Sequence, residues 1–240
     1  PGPLGGHNWN PVSWNPGTGL LYFSELQMPS VFKADNAVGF KENGRRYNMA
    51  LDMAGMMDNP QFLAELRNPR GSLIAWDVAN AKIAWQVPQP LPTNGGTLST
   101  AGNLVFHGTA DGRLVAYAAD SGKQLWEART FGGVQAGPVS YAVDGRQYIA
   151  TGIGWGGGHG AAMPDGGKLA GLTNPSRIAV YALDGTASLE PPAPFTGTID
   201  PPPLSATPEQ VRQGAQLYMA HCGYCHASGS GGVPDLNYLS

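Results

Sequence analysis

Cysteine is scarce in this 240-residue chain: there are only two, at positions 222 and 225, and neither has a cysteine directly beside it. A closed zinc site would want a second Cys or His pair, and none follows them here, so such a site is not expected. Charge is also sparse. Asp, Glu, Lys and Arg make up 13 % of residues, the net charge is −3 and no basic stripe occurs, which argues against a nucleic-acid partner. No run of about 18 apolar residues exists, so no segment reads as a membrane span. The chain opens Pro1-Gly2-Pro3-Leu4, without an initiator methionine or a signal-peptide pattern, and reads as starting within a longer protein.

Glycine and proline are abundant. The 35 Gly and 21 Pro residues, beside 42 % hydrophobic residues and clear strand patterns, indicate many short strands and turns. Asn15-Pro16-Gly17-Thr18-Gly19 is a dense turn signal before a strand at Leu20-Leu21-Tyr22-Phe23. Residues 24–70 are less regular, with a helical turn expected around Phe62-Leu63-Ala64-Glu65-Leu66. The methionines of 49–57 read as packing. A repeat then emerges. Gly71, Ala75, Lys82 and Trp85 recur as Gly112, Ala116, Lys123 and Trp126, each 41 residues on. A decayed third copy, Ser176-Arg177-Ile178-Ala179-Val180-Tyr181, precedes Asp184-Gly185. Further strands are expected at 104–106, 138–141 and 148–150, with a hairpin at Asp144-Gly145. A period of about 40 residues with a G-x-L-x-A-[WY] signature predicts propeller blades of four strands, each recurrent Trp wedged between neighbouring blades. A β-sandwich would not carry such a repeat.

The far end is chemically distinct. Cys222-Gly223-Tyr224-Cys225-His226 is C-x-x-C-H, the attachment motif for c-type haem: two thioethers to the porphyrin and His226 as proximal ligand to iron. A thioredoxin-like redox pair, half a zinc site or a simple disulfide is the competing reading. Thr207-Pro208-Glu209-Gln210 is a helix start with a capping pattern, and Ala215, Leu217, Tyr218 and Cys222 recur at helical spacing, so a helix leads into the motif. Residues 187–206, with two proline clusters, read as a semi-rigid linker. The expected organisation is all-β over 1–186, the C-terminal half of an eight-bladed β-propeller. Then come the linker, 187–206, and the truncated start of an α-helical cytochrome c domain, 207–240. Only 14 residues follow His226, too few to close a haem pocket and supply a sixth ligand.

This arrangement resembles the type II quinohaemoprotein alcohol dehydrogenases. The resemblance rests on Gly5-Gly6-His7-Asn8-Trp9-Asn10-Pro11, on 94–106 beginning Asn94-Gly95-Gly96-Thr97, on Gly122-Lys123-Gln124-Leu125-Trp126, on Gly154-Trp155-Gly156-Gly157 and on Gly232-Val233-Pro234-Asp235-Leu236. It implies pyrroloquinoline quinone (PQQ) in the propeller, touched by Asn8 and Trp9 and lined by Gly154 and Trp155. It further implies haem c on Cys222, Cys225 and His226, and a calcium ion whose ligands lie outside this chain. An alcohol would be the substrate, with a cytochrome or copper protein as downstream redox partner and a periplasmic location. The family's vicinal cysteine pair and catalytic Asp would precede Asn8, so no catalytic residue is expected in this chain. Thr93 stands where many relatives carry Trp, implying an altered substrate cavity. The rival reading is an electron-transfer or binding protein in which the propeller is only a scaffold. Among the histidines, His107 and His159 read as structural and His221 as a surface residue. The glycine run 154–160 has no helix or Lys at P-loop spacing and is not a phosphate cradle.

Overall fold

A computed structural model describes residues 5–27, 34, 59–61, 64, 70–92, 94–154, 177–192 and 203–221, with backbone alone at 216 and 219–221. Among the described residues, eleven strands form three antiparallel sheets in chain order. The first sheet is β1 (Ser13–Asn15), β2 (Leu20–Gln27), β3 (Arg70–Asp77) and β4 (Lys82–Gln89). The second is β5 (Thr97–Thr100), β6 (Leu104–Thr109), β7 (Arg113–Ala118) and β8 (Gln124–Arg129). The third has β9 (Val139–Val143), β10 (Arg146–Ile153) and β11 (Arg177–Ala182), with β10 in the middle. A helix, α1 (Pro208–His221), follows. Each four-stranded sheet is a meander, the blade unit that the 41-residue period predicts.

The repeat is visible in the pairing. Trp85 lies opposite Ala75 and Trp126 opposite Ala116, and in both sheets the register shifts at the next residue. The shared bulge turns the outer strand, so that the indole leaves its own blade for the next one. Trp85 packs against Gly122 and donates from Nε1 to the carbonyl of Ala119 at 3.0 Å. The same carbonyl accepts from Tyr22 Oη at 2.9 Å. Leu20, Tyr22, Ala75, Val105 and Ala119 form one buried cluster with Trp85, and Leu73, Val115 and Tyr117 form another, so the core lies between blades. Trp126 repeats the geometry edge-on to Tyr181 of the third sheet, ring centroids 5.4 Å apart. The wedge role expected of the recurrent Trp is therefore observed.

One detail of the repeat is broken. Gln89 donates to the Tyr117 hydroxyl at 3.1 Å across the first blade interface. The residue 41 positions on is Thr130, whose hydroxyl turns back to the Gly132 carbonyl at 2.8 Å. Tyr181, the counterpart of Tyr117, has its buried hydroxyl without a partner among the described residues, and burial pushes its pKa up to about 12.

Local signals hold as well. Asn15 closes its turn by accepting the Gly17 amide on Oδ1 at 2.8 Å. Asp144 and Gly145 both take positive φ, the two-residue hairpin that Asp-Gly favours. Pro60, Gln61 and Ala64 are helical, with the Gln61 amide on Asn59 Oδ1, so this turn starts ahead of its predicted place. In α1 the Thr207 and Gln210 side chains each accept the other's amide, at 3.3 and 2.8 Å, the reciprocal capping box that the sequence predicts. Strands β1 and β5 are not anticipated from the sequence. Both are short and polar, and they form through pairing with the longer β2 and β6.

Candidate functional site

The segment carrying Asn8 and Trp9 precedes β1 and runs across the junction between the first two sheets. It is tied at both ends. On the first sheet, the Leu26 amide donates to the Gly6 carbonyl at 2.8 Å, and His7 Nδ1 donates to the Ser24 carbonyl at 2.8 Å with its ring edge-on to Phe23. On the second, Asn10 Nδ2 donates to the Asn94 carbonyl at 2.7 Å and the Thr97 amide to the Pro11 carbonyl at 2.9 Å. Between the ties Trp9 stands 82 % exposed while Asn10 is buried. An indole face beside an amide side chain, on a fixed backbone, suits a flat polar ring.

The segment Asn94-Gly95-Gly96-Thr97 is the other half of this support, and each residue has a physical reason. Asn94, 2 % exposed, donates to the Leu91 carbonyl at 2.7 Å and accepts the Ala110 amide at 3.0 Å. A Cβ on Gly95 would lie 2.3 Å from the Val134 carbonyl, and one on Gly96 would lie 2.6 Å from the Pro11 ring. Thr97 Oγ1 donates to the Tyr22 carbonyl at 2.9 Å and shares a 2.8 Å hydrogen bond with Ser13 Oγ. The backbones pack so closely here that only glycine fits.

Gly154 lies at the end of β10, paired with Val134, and its amide is taken by the Gly133 carbonyl at 2.8 Å. Its φ of 146° leaves a position that glycine fills best. It reaches the Asn8–Trp9 segment indirectly, because Pro11 also packs on Gly137, at the other end of the Gly133–Gly137 stretch. Its N–H is already committed to Gly133. Trp155, Thr93 and the Cys222, Cys225, His226 triplet lie outside the described residues, as do His159 and 49–57.

Beneath the site lies a buried polar pair. His107, just past the strand expected at 104–106, is inside β6 and fully buried. Its Nε2 is 2.9 Å from Ser24 Oγ, which itself donates to the Gly95 carbonyl. With the hydroxyl proton committed to Gly95, His107 must donate from Nε2, leaving Nδ1 an acceptor with no partner among the described residues. Burial, reinforced by the Arg113 guanidinium, pulls its pKa down to about 3. Arg113 is held by Asp111 in an ion pair of 2.9 Å and reaches Glu127 at 3.4 Å. Among the described residues no three His, Cys, Asp or Glu side chains gather where they could hold a metal ion.

Residues 1–149 match the PQQ family, described as the glucose/ethanol/alcohol dehydrogenase β-propeller domain. The chain belongs to this quinoprotein propeller family. It is 44 % identical over 248 residues, all of its own length, to the quinohemoprotein alcohol dehydrogenase ADH IIB of Pseudomonas putida, and covers 34 % of that protein. The quinohemoprotein alcohol dehydrogenase of Comamonas testosteroni is 40 % identical over 246 residues, with the same 34 % of its length covered. Among solved structures, Pseudomonas putida ADHIIG superposes with a TM-score of 0.79 at 40 % identity, over all of this chain and 36 % of that one. The Comamonas testosteroni enzyme does so with 0.69 at 35 % identity, over all of this chain and 35 % of that one. The chain thus spans about a third of the length of the relatives it matches. The propeller expected from the repeat is the fold of the family.

Asn10, Asn94 and Ser24 are the supports that sequence reading missed. Asn beside Pro or Gly reads as a turn residue, and nothing local reveals that these side chains bridge two blades.

Proposed function

We propose that the protein oxidises alcohols with PQQ and calcium and delivers the electrons to a covalently bound c-type haem. The observation that carries this reading is the Asn8–Trp9 segment, tied to two blades and presenting an indole and an amide at a glycine-lined junction. Its donor set fits a planar, carbonyl-rich quinone, and family membership supports it. When bound, PQQ supplies the two-electron acceptor for the alcohol. Trp9 would offer its face to the ring, Asn8 a hydrogen bond at its rim, and Gly154 with Trp155 the far lining. The close backbone packing at Gly95 and Gly96 leaves no room for a side chain beneath the segment. The catalytic carboxylate and the calcium ligands belong, on this reading, to residues outside this chain.

Cys222, Cys225 and His226 would hold the haem, with His226 as ligand to iron. Their support is the C-x-x-C-H spacing and the capped helix α1 that runs directly into it. Residues 187–206 then act as the linker between propeller and cytochrome segments. C-type haem and family together favour the periplasm, with a cytochrome or copper protein as electron acceptor. No described helix is long and apolar enough to cross a membrane.

The test is the visible spectrum of the full-length protein, with and without PQQ and calcium, before and after a primary alcohol. Reduced haem bands that require quinone, calcium and alcohol together are the expected result. Haem that no alcohol in a broad panel reduces, in a protein that binds no quinone, would overturn the enzyme and leave the electron carrier. Trp9→Ala is expected to weaken quinone binding about 10-fold or more, read by titration, because a stacked aromatic face is lost. An unchanged affinity would remove Trp9 from the site.

A further inference from the structure

We infer that Asn10 is a positioning residue for the quinone site, setting the Asn8–Trp9 segment against the second blade through its hydrogen bond to Asn94. This rests on the quinone reading of the site. The segment between Gly6 and Pro11 has two kinds of support. On the first blade, Gly6 and His7 are attached to β2, the carbonyl of Ser24 being the acceptor for His7. On the second blade the side-chain support is Asn10, whose amide reaches 2.7 Å to a carbonyl 84 residues away. Asn8 and Trp9 sit between these anchors, so the bond from Asn10 sets the span and direction of the two residues that would meet the ring.

The acceptor is itself immobilised. Both ends of the Asn94 side-chain amide are hydrogen-bonded, to Leu91 and Ala110, and the next residue's amide donates to the Gly108 carbonyl at 2.8 Å. Asn10 therefore grips a point of the β4–β5 connection that is itself hydrogen-bonded on three sides, just ahead of β5. Its own side chain is buried, whereas Trp9 beside it is open, so neighbouring residues divide the labour of anchoring and presenting. Geometry held by a second layer of buried hydrogen bonds is what preorganises a binding face. Without the Asn10 amide, the Asn94 carbonyl loses a buried donor, and residues 8–10 lose the side-chain tie that lies between the His7 anchor and the Pro11 carbonyl's bond to Thr97.

The experiment uses the full-length protein stripped of quinone. Asn10→Ala is compared with Gln89→Ala, which removes a different buried hydrogen bond across the same blade interface. PQQ affinity is measured by tryptophan-fluorescence titration with calcium present, and amide hydrogen exchange over residues 5–11 is followed in the quinone-free state. We expect Asn10→Ala to raise the dissociation constant about 10-fold or more and to speed exchange at residues 8–10. Gln89→Ala should lower the melting temperature comparably while leaving both readouts within about twofold of the unsubstituted protein. If Asn10→Ala does not fold, Asn10→Ser, too short to reach Asn94, carries the same expectations. Equal affinity and exchange in the unsubstituted protein and the Asn10 variant would overturn the inference alone. Failure of the unsubstituted protein to bind quinone would overturn the functional reading beneath it.

Discussion

Gly122→Ala is expected to destabilise the propeller by about 3 kcal/mol or more, among the largest effects of any single methyl group in this chain. Two costs combine. Gly122 has a φ of 71°, a conformation in which alanine is strained by about 1 kcal/mol. The added Cβ would also lie 2.6 Å from the indole of Trp85, which must move. Moving it breaks the bond from Nε1 to the Ala119 carbonyl and opens the cluster around Tyr22, Ala75 and Val105. Chemical unfolding of the full-length protein measures the loss. Because both substitutions act through one contact, Gly122→Ala and Trp85→Ala together should cost clearly less than the sum of the two alone. Strict additivity would mean that the indole does not seat on Gly122.

Acidification should unfold the first blade interface through His107. The sign follows from its pKa, held at about 3 when folded against an ordinary value of 6.5. Between these values the unfolded chain binds a proton that the folded chain refuses, so stability is lost as pH falls below 6.5. The loss from this residue approaches about 1.4 kcal/mol per pH unit within that window, and has largely accumulated by pH 4. The cause is burial first, then repulsion by Arg113, which the Asp111 carboxylate offsets only in part. His107→Gln retains a donor for Ser24 but does not titrate. Unfolding free energies of the two proteins between pH 7.5 and 4 should therefore diverge, the histidine protein falling faster. Parallel curves would show that His107 stays neutral at no cost or is protonated in place.

How much of this was legible in the sequence differs from one feature to another. The 41-residue offset of Gly71, Ala75, Lys82 and Trp85 reveals the blades because a repeat is a one-dimensional property. The Asp144-Gly145 hairpin and the Thr207–Gln210 cap are equally local: the residues that signal them are the residues that make the bonds. Strands β1 and β5 were not legible, because Ser13–Asn15 and Thr97–Thr100 have no strong strand character of their own. Asn8 and Trp9 were reached through resemblance, since an Asn-Trp pair carries no spacing that points to a ligand.

The sequence by itself determined the blade repeat, the wedge tryptophans, the turns and the capped helix leading to C-x-x-C-H, because each depends on contacts within one strand, turn or repeat unit. Only the tertiary structure decided how Asn10 meets Asn94 across 84 residues, why Gly95 and Gly96 admit no side chain, and why His107 must stay neutral beside Ser24. Those features arise where two sheets press together, and the packing of one backbone on another leaves no periodic trace in either.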